Sequence, residues 1–199
     1  PSVKSSTIDL RPATLQHAAG GGGYLSVAEG ISGGFTIANG VLIENAIGGG
    51  GTDTITGNWV SNVLIGNGGN DVLNGMGGAD RIIGGIGRDT LTGGAGADDF
   101  VYEAVNHSNS QIDVIKDFLH GVDDIDVAAI DANGAAAGNA AFNFLGKSAF
   151  TGAGAESRWT QNVPANLTNL LFDIDGNHVA DMTIRLTGLI TLDAGDFIL

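Results

Sequence analysis

The chain has no cysteine, so neither a disulfide nor a thiolate can staple it or do chemistry in it. Basic residues are scarce: 8 Lys and Arg stand against 22 Asp and Glu, a net charge of −14. That balance argues against nucleic acid and anionic membrane as partners. No run of 18 apolar residues exists, so insertion into a membrane is not expected. The opening PSVKSS has no apolar core of a signal peptide, and a start at Pro1 predicts a piece of a longer chain. Catalytic patterns are also missing. The four histidines (His17, His107, His120 and His178) lie more than four residues apart, and neither HExxH nor GxSxG occurs. The glycine clusters are followed by no phosphate-binding lysine. The chain by itself is therefore expected not to be an enzyme.

Glycine and aspartate are what it does have. There are 34 glycines, more than twice the ordinary share of about 7%. The acids are almost all Asp, with Glu only at 29, 44, 103 and 156, which favours turns and ligand loops over helices. From Gly48 to Val101 they fall into six nonapeptides: GGGGTDTIT, GNWVSNVLI, GNGGNDVLN, GMGGADRII, GGIGRDTLT and GGAGADDFV. Five fit G-x-x-G-x-D-x-U-x, with U large and apolar; the second is degenerate. The sixth position holds Asp53, Asn62, Asp71, Asp80, Asp89 and Asp98. The eighth holds Ile55, Leu64, Leu73, Ile82, Leu91 and Phe100. D-x-U-x reads as a short strand and the preceding residues as a glycine turn.

Two nonapeptides make one 18-residue coil, and coils stack in parallel at about 4.8 Å. The expected fold is all-β: a parallel β-roll with a thin core of U side chains. Stacking puts Asp53, Asp71 and Asp89 along one edge and Asn62, Asp80 and Asp98 along the other. Like charges in register repel, and glycine turns lose much entropy on ordering. A hard cation held by carboxylates and turn carbonyls removes the repulsion. Oxygen-only ligands without Cys select Ca²⁺, several ions of it. The nonapeptide resembles the calcium-binding repeat of RTX proteins.

Three segments follow from the rest of the pattern: 1–29 as lead-in strands and loop, 30–127 as the roll with a closing coil, and 128–199 as antiparallel strands forming a sandwich-like cap. Thr7–Leu10 and Tyr24–Val27 read as strands in the first. Residues 30–47 keep the nonapeptide phase without good ligands; Glu44 takes the acid slot, stacked over Asn62 as a weak half-site. After Tyr102 a loop with a short helical turn is expected to 111. The block IDVIKDFLHGVDDIDV then places Asp113 and Asp123 before Ile115 and Ile125 as in the repeats, predicting either a further calcium site or a solvated charged turn. Residues 128–141 read as loop or weak helix. Leu170–Ile174 and Ala180–Leu186 form a hairpin around DIDGNHVAD. There Asp173, Asp175, Asn177 and Asp181 have the spacing of an EF-hand loop, but Ile184 stands where its glutamate belongs, so a weak metal loop or a hydrogen-bonded turn is expected. Trp59, on the degenerate repeat, marks either a packing contact or a docking surface.

The nonapeptides, the lead-in GVLIENAIGG, the block D-x-I-x-D-F-x-x-G-x-D-x-I-D and the terminal DFIL together resemble the C-terminal domain of the serralysins, secreted bacterial zinc metalloproteases. The resemblance implies an N-terminal catalytic domain as covalent partner, carrying the zinc, with none in this segment. It implies calcium held by Asp53, Asp71, Asp80, Asp89 and Asp98, with Gly48, Gly49, Gly51, Gly66, Gly69, Gly78, Gly87 and Gly96 setting turns and several giving carbonyl oxygens. It also implies a secreted, extracellular, monomeric protein exported by type I secretion machinery that reads Asp196, Phe197, Ile198 and Leu199. Similar domains follow other exported enzymes, and an adhesion, surface-layer or polysaccharide-associated module is the alternative.

Overall fold

The computed structural model describes residues 4–12, 27–28, 37, 41–131 and 141–199. The strands in chain order are β1 (Ser6–Asp9), β2 (Val27–Ala28), β3 (Asn45–Ile47), β4 (Thr54–Thr56), β5 (Val63–Gly68), β6 (Val72–Gly77), β7 (Arg81–Ile86) and β8 (Thr90–Ala95). They continue with β9 (Asp99–Val101), β10 (Asp113–Ile115), β11 (Asp124–Asp126), β12 (Asn143–Phe144), β13 (Glu156–Asn162), β14 (Leu167–Asp173), β15 (Met182–Thr187) and β16 (Phe197–Ile198). Among the described residues no helix is long and apolar enough to cross a membrane.

Alternate nonapeptides enter opposite sheets. One sheet pairs β4, β6 and β8 in parallel, aligning Ile55, Leu73 and Leu91. The other pairs β3, β5, β7 and β9, aligning Ala46, Leu64, Ile82 and Phe100. All six U side chains of the repeats are fully buried between the sheets, and Ile37, in phase one coil before Ile55, is buried too. The coil of 18 residues is therefore the structural repeat.

Both sheets grow beyond the repeats. β1 pairs in parallel with β4, setting Ile8 against Ile55, and β2 flanks β1. β10 stacks on β8 with Ile115 against Leu91, and β11 stacks on β9 with Ile125 against Phe100. The sequence block around His120–Gly121 thus supplies one strand to each sheet, as a closing coil does. The antiparallel strands β13, β14 and β15 continue the first sheet, because β15 pairs in parallel with β10. The 174–181 hairpin joins β14 to β15 as expected, whereas the β13–β14 hairpin had no comparable signal in sequence. Hydrogen-bonded pairs cross both expected segment borders, and one apolar cluster runs from Leu10 to Phe197. A 3-10 turn forms at Val105–His107. Of the second expected strand only Val27 is described. Gly20–Gly23 and 132–140 lie outside the described residues.

Candidate metal site and terminal segment

Each aspartate of the repeat ties its coil to the one before. Asp71 Oδ1 accepts from the backbone N–H of Asp53 at 2.7 Å, Asp89 Oδ1 from Asp71 at 2.8 Å, and Asp113 Oδ1 from Asp89 at 2.7 Å. On the other edge Asp80 Oδ1 accepts from Asn62 at 2.7 Å, Asp98 Oδ1 from Asp80 at 2.9 Å, and Asp123 Oδ1 from Asp98 at 3.1 Å. Two ladders result, 53-71-89-113 and 62-80-98-123, with every rung buried. The last steps span 24 and 25 residues instead of 18, so the closing coil absorbs an insertion and still returns its carboxylates to register.

The second oxygen of these carboxylates decides what the ladders can do. Oδ2 of Asp71, Asp80, Asp89, Asp98 and Asp113 is buried without a hydrogen-bond partner among the described residues. Five orphaned anionic oxygens in one small roll is a large penalty unless a cation meets them. One end of each ladder differs: Asp53 Oδ2 accepts from Gly49 N–H at 2.6 Å, and Asp123 Oδ2 from Leu119 N–H at 2.8 Å. Unmet demand is thus concentrated between Asp71 and Asp113. The space beside it is floored by the first glycine of each repeat. A Cβ on Gly66 would press on the Asp71 carboxylate and the Gly84 carbonyl, and one on Gly75 on the Asp80 carboxylate and the Gly93 carbonyl. Carboxylate and carbonyl oxygens converging on a space too tight for a methyl group are the donor set of a hard cation.

The first-position glycines at 57, 75, 84 and 93 were missed as site residues in sequence. Their signal was present, since this is the one position that is glycine in all six repeats. The glycines expected to supply carbonyls, at positions 69, 78, 87 and 96, adopt positive φ (104° to 153°). A Cβ on Gly87 would run into the Gly69 carbonyl, and one on Gly96 into that of Gly78, so coils meet backbone to backbone there. Gly69 faces Gly51 in the same way.

Burial pushes the Asp71 carboxyl up to about 7, with the Asp89 and Asp53 charges adding to it. Burial likewise raises Asp80 and Asp89 to about 6 and Asp113 to about 8. These carboxyls bind protons more tightly folded than unfolded. Their favourable contribution to the metal-free fold is complete below the ordinary value of 3.8 and is lost as pH rises through 6 to 8. The metal-free chain should therefore gain β-sheet circular dichroism as pH is lowered from about 8 to about 5. A β signal that grows with rising pH would contradict this assignment.

The weaker expected sites fare differently. Asn62 satisfies its own amide through Asn58, whose N–H donates to Asn62 Oδ1 at 2.8 Å. Glu44 falls in register above Asn62 but its side chain is exposed; its carbonyl accepts from Val63 N–H. In the hairpin turn, single oxygens of Asp173, Asp175 and Asp181 come within 4.8 Å of one another. Each of the three carboxylates already accepts backbone N–H groups, Asp173 from Gly176 and His178, Asp175 from Asn177, and Asp181 from Ile174. The loop is thus hydrogen-bonded as a turn and at the same time gathers three carboxylates closely enough to share a cation.

The family model described as Peptidase M10 serralysin C terminal matches residues 16–199. The chain belongs to the serralysin C-terminal family. Serralysin A of Dickeya chrysanthemi is 47% identical over 177 residues, 88% of this chain and 34% of that protein. Metalloprotease AprA of Pseudomonas entomophila is 46% identical over 160 residues, 80% of this chain and 30% of that protein. The chain thus spans about a third of the length of these curated relatives. Among solved structures it is similar to the AlgE6R3 subunit of a mannuronan C5-epimerase from Azotobacter vinelandii, with TM-score 0.54 and 25% identity, covering 80% of this chain and 81% of that one.

In this serralysin C-terminal chain the last residues are docked. Asp193 caps a 3-10 turn at Ala194–Asp196 with a capping box. Asp196 is fully buried: its Oδ1 lies 2.7 Å from His120 Nδ1 and accepts from Gly121 N–H at 2.9 Å, while Oδ2 accepts from Asp193 N–H at 2.7 Å. Phe197 is buried, its ring 5.0 Å from that of Phe144, and β16 adds to the edge of β11. Ile198 remains exposed and Leu199 packs partly against the core.

Proposed function

We propose that this chain is a calcium-dependent folding module of a secreted serralysin-like metalloprotease, itself without catalytic function. The ladder of buried, unpartnered aspartate oxygens carries the reading. Asp53, Asp71, Asp80, Asp89, Asp98, Asp113 and Asp123, with glycine carbonyls of the turns, would hold several Ca²⁺ ions. Calcium supplies the positive charge that lets stacked carboxylates remain ionised, so binding and folding share one free energy. At low cytoplasmic calcium the chain stays open and can thread a type I exporter. Outside, calcium near the millimolar range loads sites of about 10⁻⁴–10⁻³ M affinity. The folded module then stabilises the catalytic domain attached to it.

Docking of the C-terminal segment supports a reading in which that segment serves twice. In the unfolded chain Asp196–Leu199 is accessible to the exporter. After folding, Asp196 is buried, Phe197 packs against Phe144 and the segment closes the second sheet. Removing Asp196–Leu199 from the parent protein should sharply lower the fraction found in the medium. The same truncation of this chain should leave calcium-induced folding in place, because the ladders end at Asp113 and Asp123. Normal export of the truncated parent would argue against the tail as signal.

A further inference from the structure

The eight cationic residues are not spread evenly over this acidic chain. Among the described residues, lysine or arginine meets a carboxylate in two ion pairs, Arg11–Asp9 and Arg81–Asp126. Of the other six, Arg88, Lys116, Arg158 and Arg185 lie on or beside the outer face of the first sheet, while Lys4 precedes β1 and Lys147 sits over the Trp159 ring. The pairing register fixes this. Outward positions alternate with the buried ones, so Arg158 aligns with Leu171, Arg185 with Val114 and Asn169, and Val114 with Thr90. Lys116 follows as the next outward residue after Val114.

The accessible outward positions from β4 to β13 hold Thr, Asn, Val, Leu, Lys and Arg, with Met76 and Ala95 at the strand ends, and no Asp or Glu. Two acids fall at strand ends there, Glu156 and Asp173. Both are buried, with their oxygens taken by Thr151, Gly152, Gly176 and His178. Asp117, beside Lys116, is turned to the backbone N–H groups of Gly93 and Gly94. In a chain of net charge −14 this leaves one sheet face cationic.

Along the turn edge of that face runs a groove of about 490 Å³ lined by Asn70, Arg88, Ser110, Gln111 and Ile112, from the turns before β6, β8 and β10, and by Arg185 of β15. Arg185 Nε donates to Asn169 Oδ1 at 3.2 Å, which orients the guanidinium. The Arg88 side chain is exposed, and its backbone N–H is held by Asn70 Oδ1 at 2.9 Å. Two guanidinium forks in one groove select a planar, bidentate anion such as a carboxylate. Around them stand short amides and hydroxyls, which pair with hydroxyl groups rather than with apolar side chains.

We propose that this groove and the sheet face beside it bind an acidic polysaccharide. Uronate carboxylates sit on Arg88 and Arg185, and sugar hydroxyls on Asn70, Ser110 and Gln111. The rows of Thr and Asn, repeating at the strand spacing of about 4.8 Å, continue the track for an extended chain. Nucleic acid fits worse, since its dense phosphates would be repelled by the acidic remainder. An acidic peptide would want apolar anchor pockets, and Ile112 is the groove's only apolar side chain.

The test is calorimetric titration of the calcium-loaded 199-residue chain with a galacturonate oligomer too short to gel with calcium. A neutral galactose oligomer of equal length and polyglutamate serve as comparisons, and circular dichroism verifies that every variant is folded. Binding of the galacturonate alone is expected. Arg88→Gln or Arg185→Gln should each weaken it about tenfold, the value of a charged hydrogen bond. Arg81→Gln, on the other sheet, should leave it unchanged. Lysine at position 88 or 185 should restore part of the loss, and serves where a glutamine variant does not fold. No binding, or binding that ignores both arginines because calcium bridges the sugar to the aspartate edge, overturns the proposal. Polyglutamate binding with the same arginine dependence overturns it in favour of an acidic peptide.

Discussion

Removing calcium from the chain with a chelator is expected to abolish its β-sheet circular dichroism, and about millimolar Ca²⁺ should restore it. The cause is local. Each nonapeptide of the roll contributes a single large, fully buried apolar side chain, such as Leu73 or Ile82. That is a thin core for nine residues of which several are glycine, and ordering them is opposed by backbone entropy. The ladders add to this cost instead of offsetting it, since Asp71, Asp80, Asp89, Asp98 and Asp113 each bury an oxygen with no partner. Without the metal these carboxyls must either take up protons or lose burial, and at neutral pH unfolding removes the conflict. Magnesium at the same concentration should be a poor substitute, because it dehydrates reluctantly and demands near-ideal octahedral geometry. Titration followed by circular dichroism gives the midpoint and its steepness. A spectrum unchanged on chelation would mean that the core suffices and that the orphaned oxygens are met in another way.

Loss of structure should not be uniform. β13, β14 and β15 form an antiparallel meander whose buried residues, Trp159, Leu170, Phe172 and Ile184, owe nothing to the ladders. Yet β15 rests on β10, and β10 begins with Asp113, a rung of the first ladder. The meander is thereby coupled to the calcium sites through one strand pair, and the docked tail through another, β16 on β11.

This coupling is what the sequence concealed. The roll itself was legible because its period is invariant: Asp53, Asp71 and Asp89 lie 18 apart and hydrogen-bond in that register. Asp113 and Asp123 could be nominated only by their local likeness to a repeat, since the intervening insertions break the count. Pairing in parallel between β10 and β15, some seventy residues apart in sequence, leaves no periodic trace. β16 is two residues long, and its parallel partner is chosen by the burial of Phe197 against Phe144 and of Asp196 beside His120. Propensity favours none of these. Glu44 holds the acid slot by phase alone, and phase does not determine whether a side chain turns inward or, as here, out to solvent.

The first glycine of each repeat gives the other large effect. Gly75→Ala should cost far more than Gly77→Ala, although both sit in β6 and neither needs positive φ. A Cβ at Gly75 would lie 2.6 Å from the Gly93 carbonyl and closer still to the Asp80 carboxylate. A Cβ at Gly77 would meet nothing nearer than the Ala95 carbonyl at 3.6 Å, an ordinary contact. The difference is not one of conformational freedom, since alanine is tolerated in extended backbone at either place. It lies in which oxygens must approach. At Gly75 the methyl group would occupy the space where an aspartate oxygen and a carbonyl from the next coil converge. Overpacking against backbone costs about 1–3 kcal/mol. If that space is also where the cation sits, the calcium midpoint should rise about tenfold or more. Gly77→Ala should leave the midpoint within about twofold, as a surface substitution free of strain does. Equal midpoints for the two variants would remove the cation from between the coils and require another explanation for a glycine at position one of every repeat.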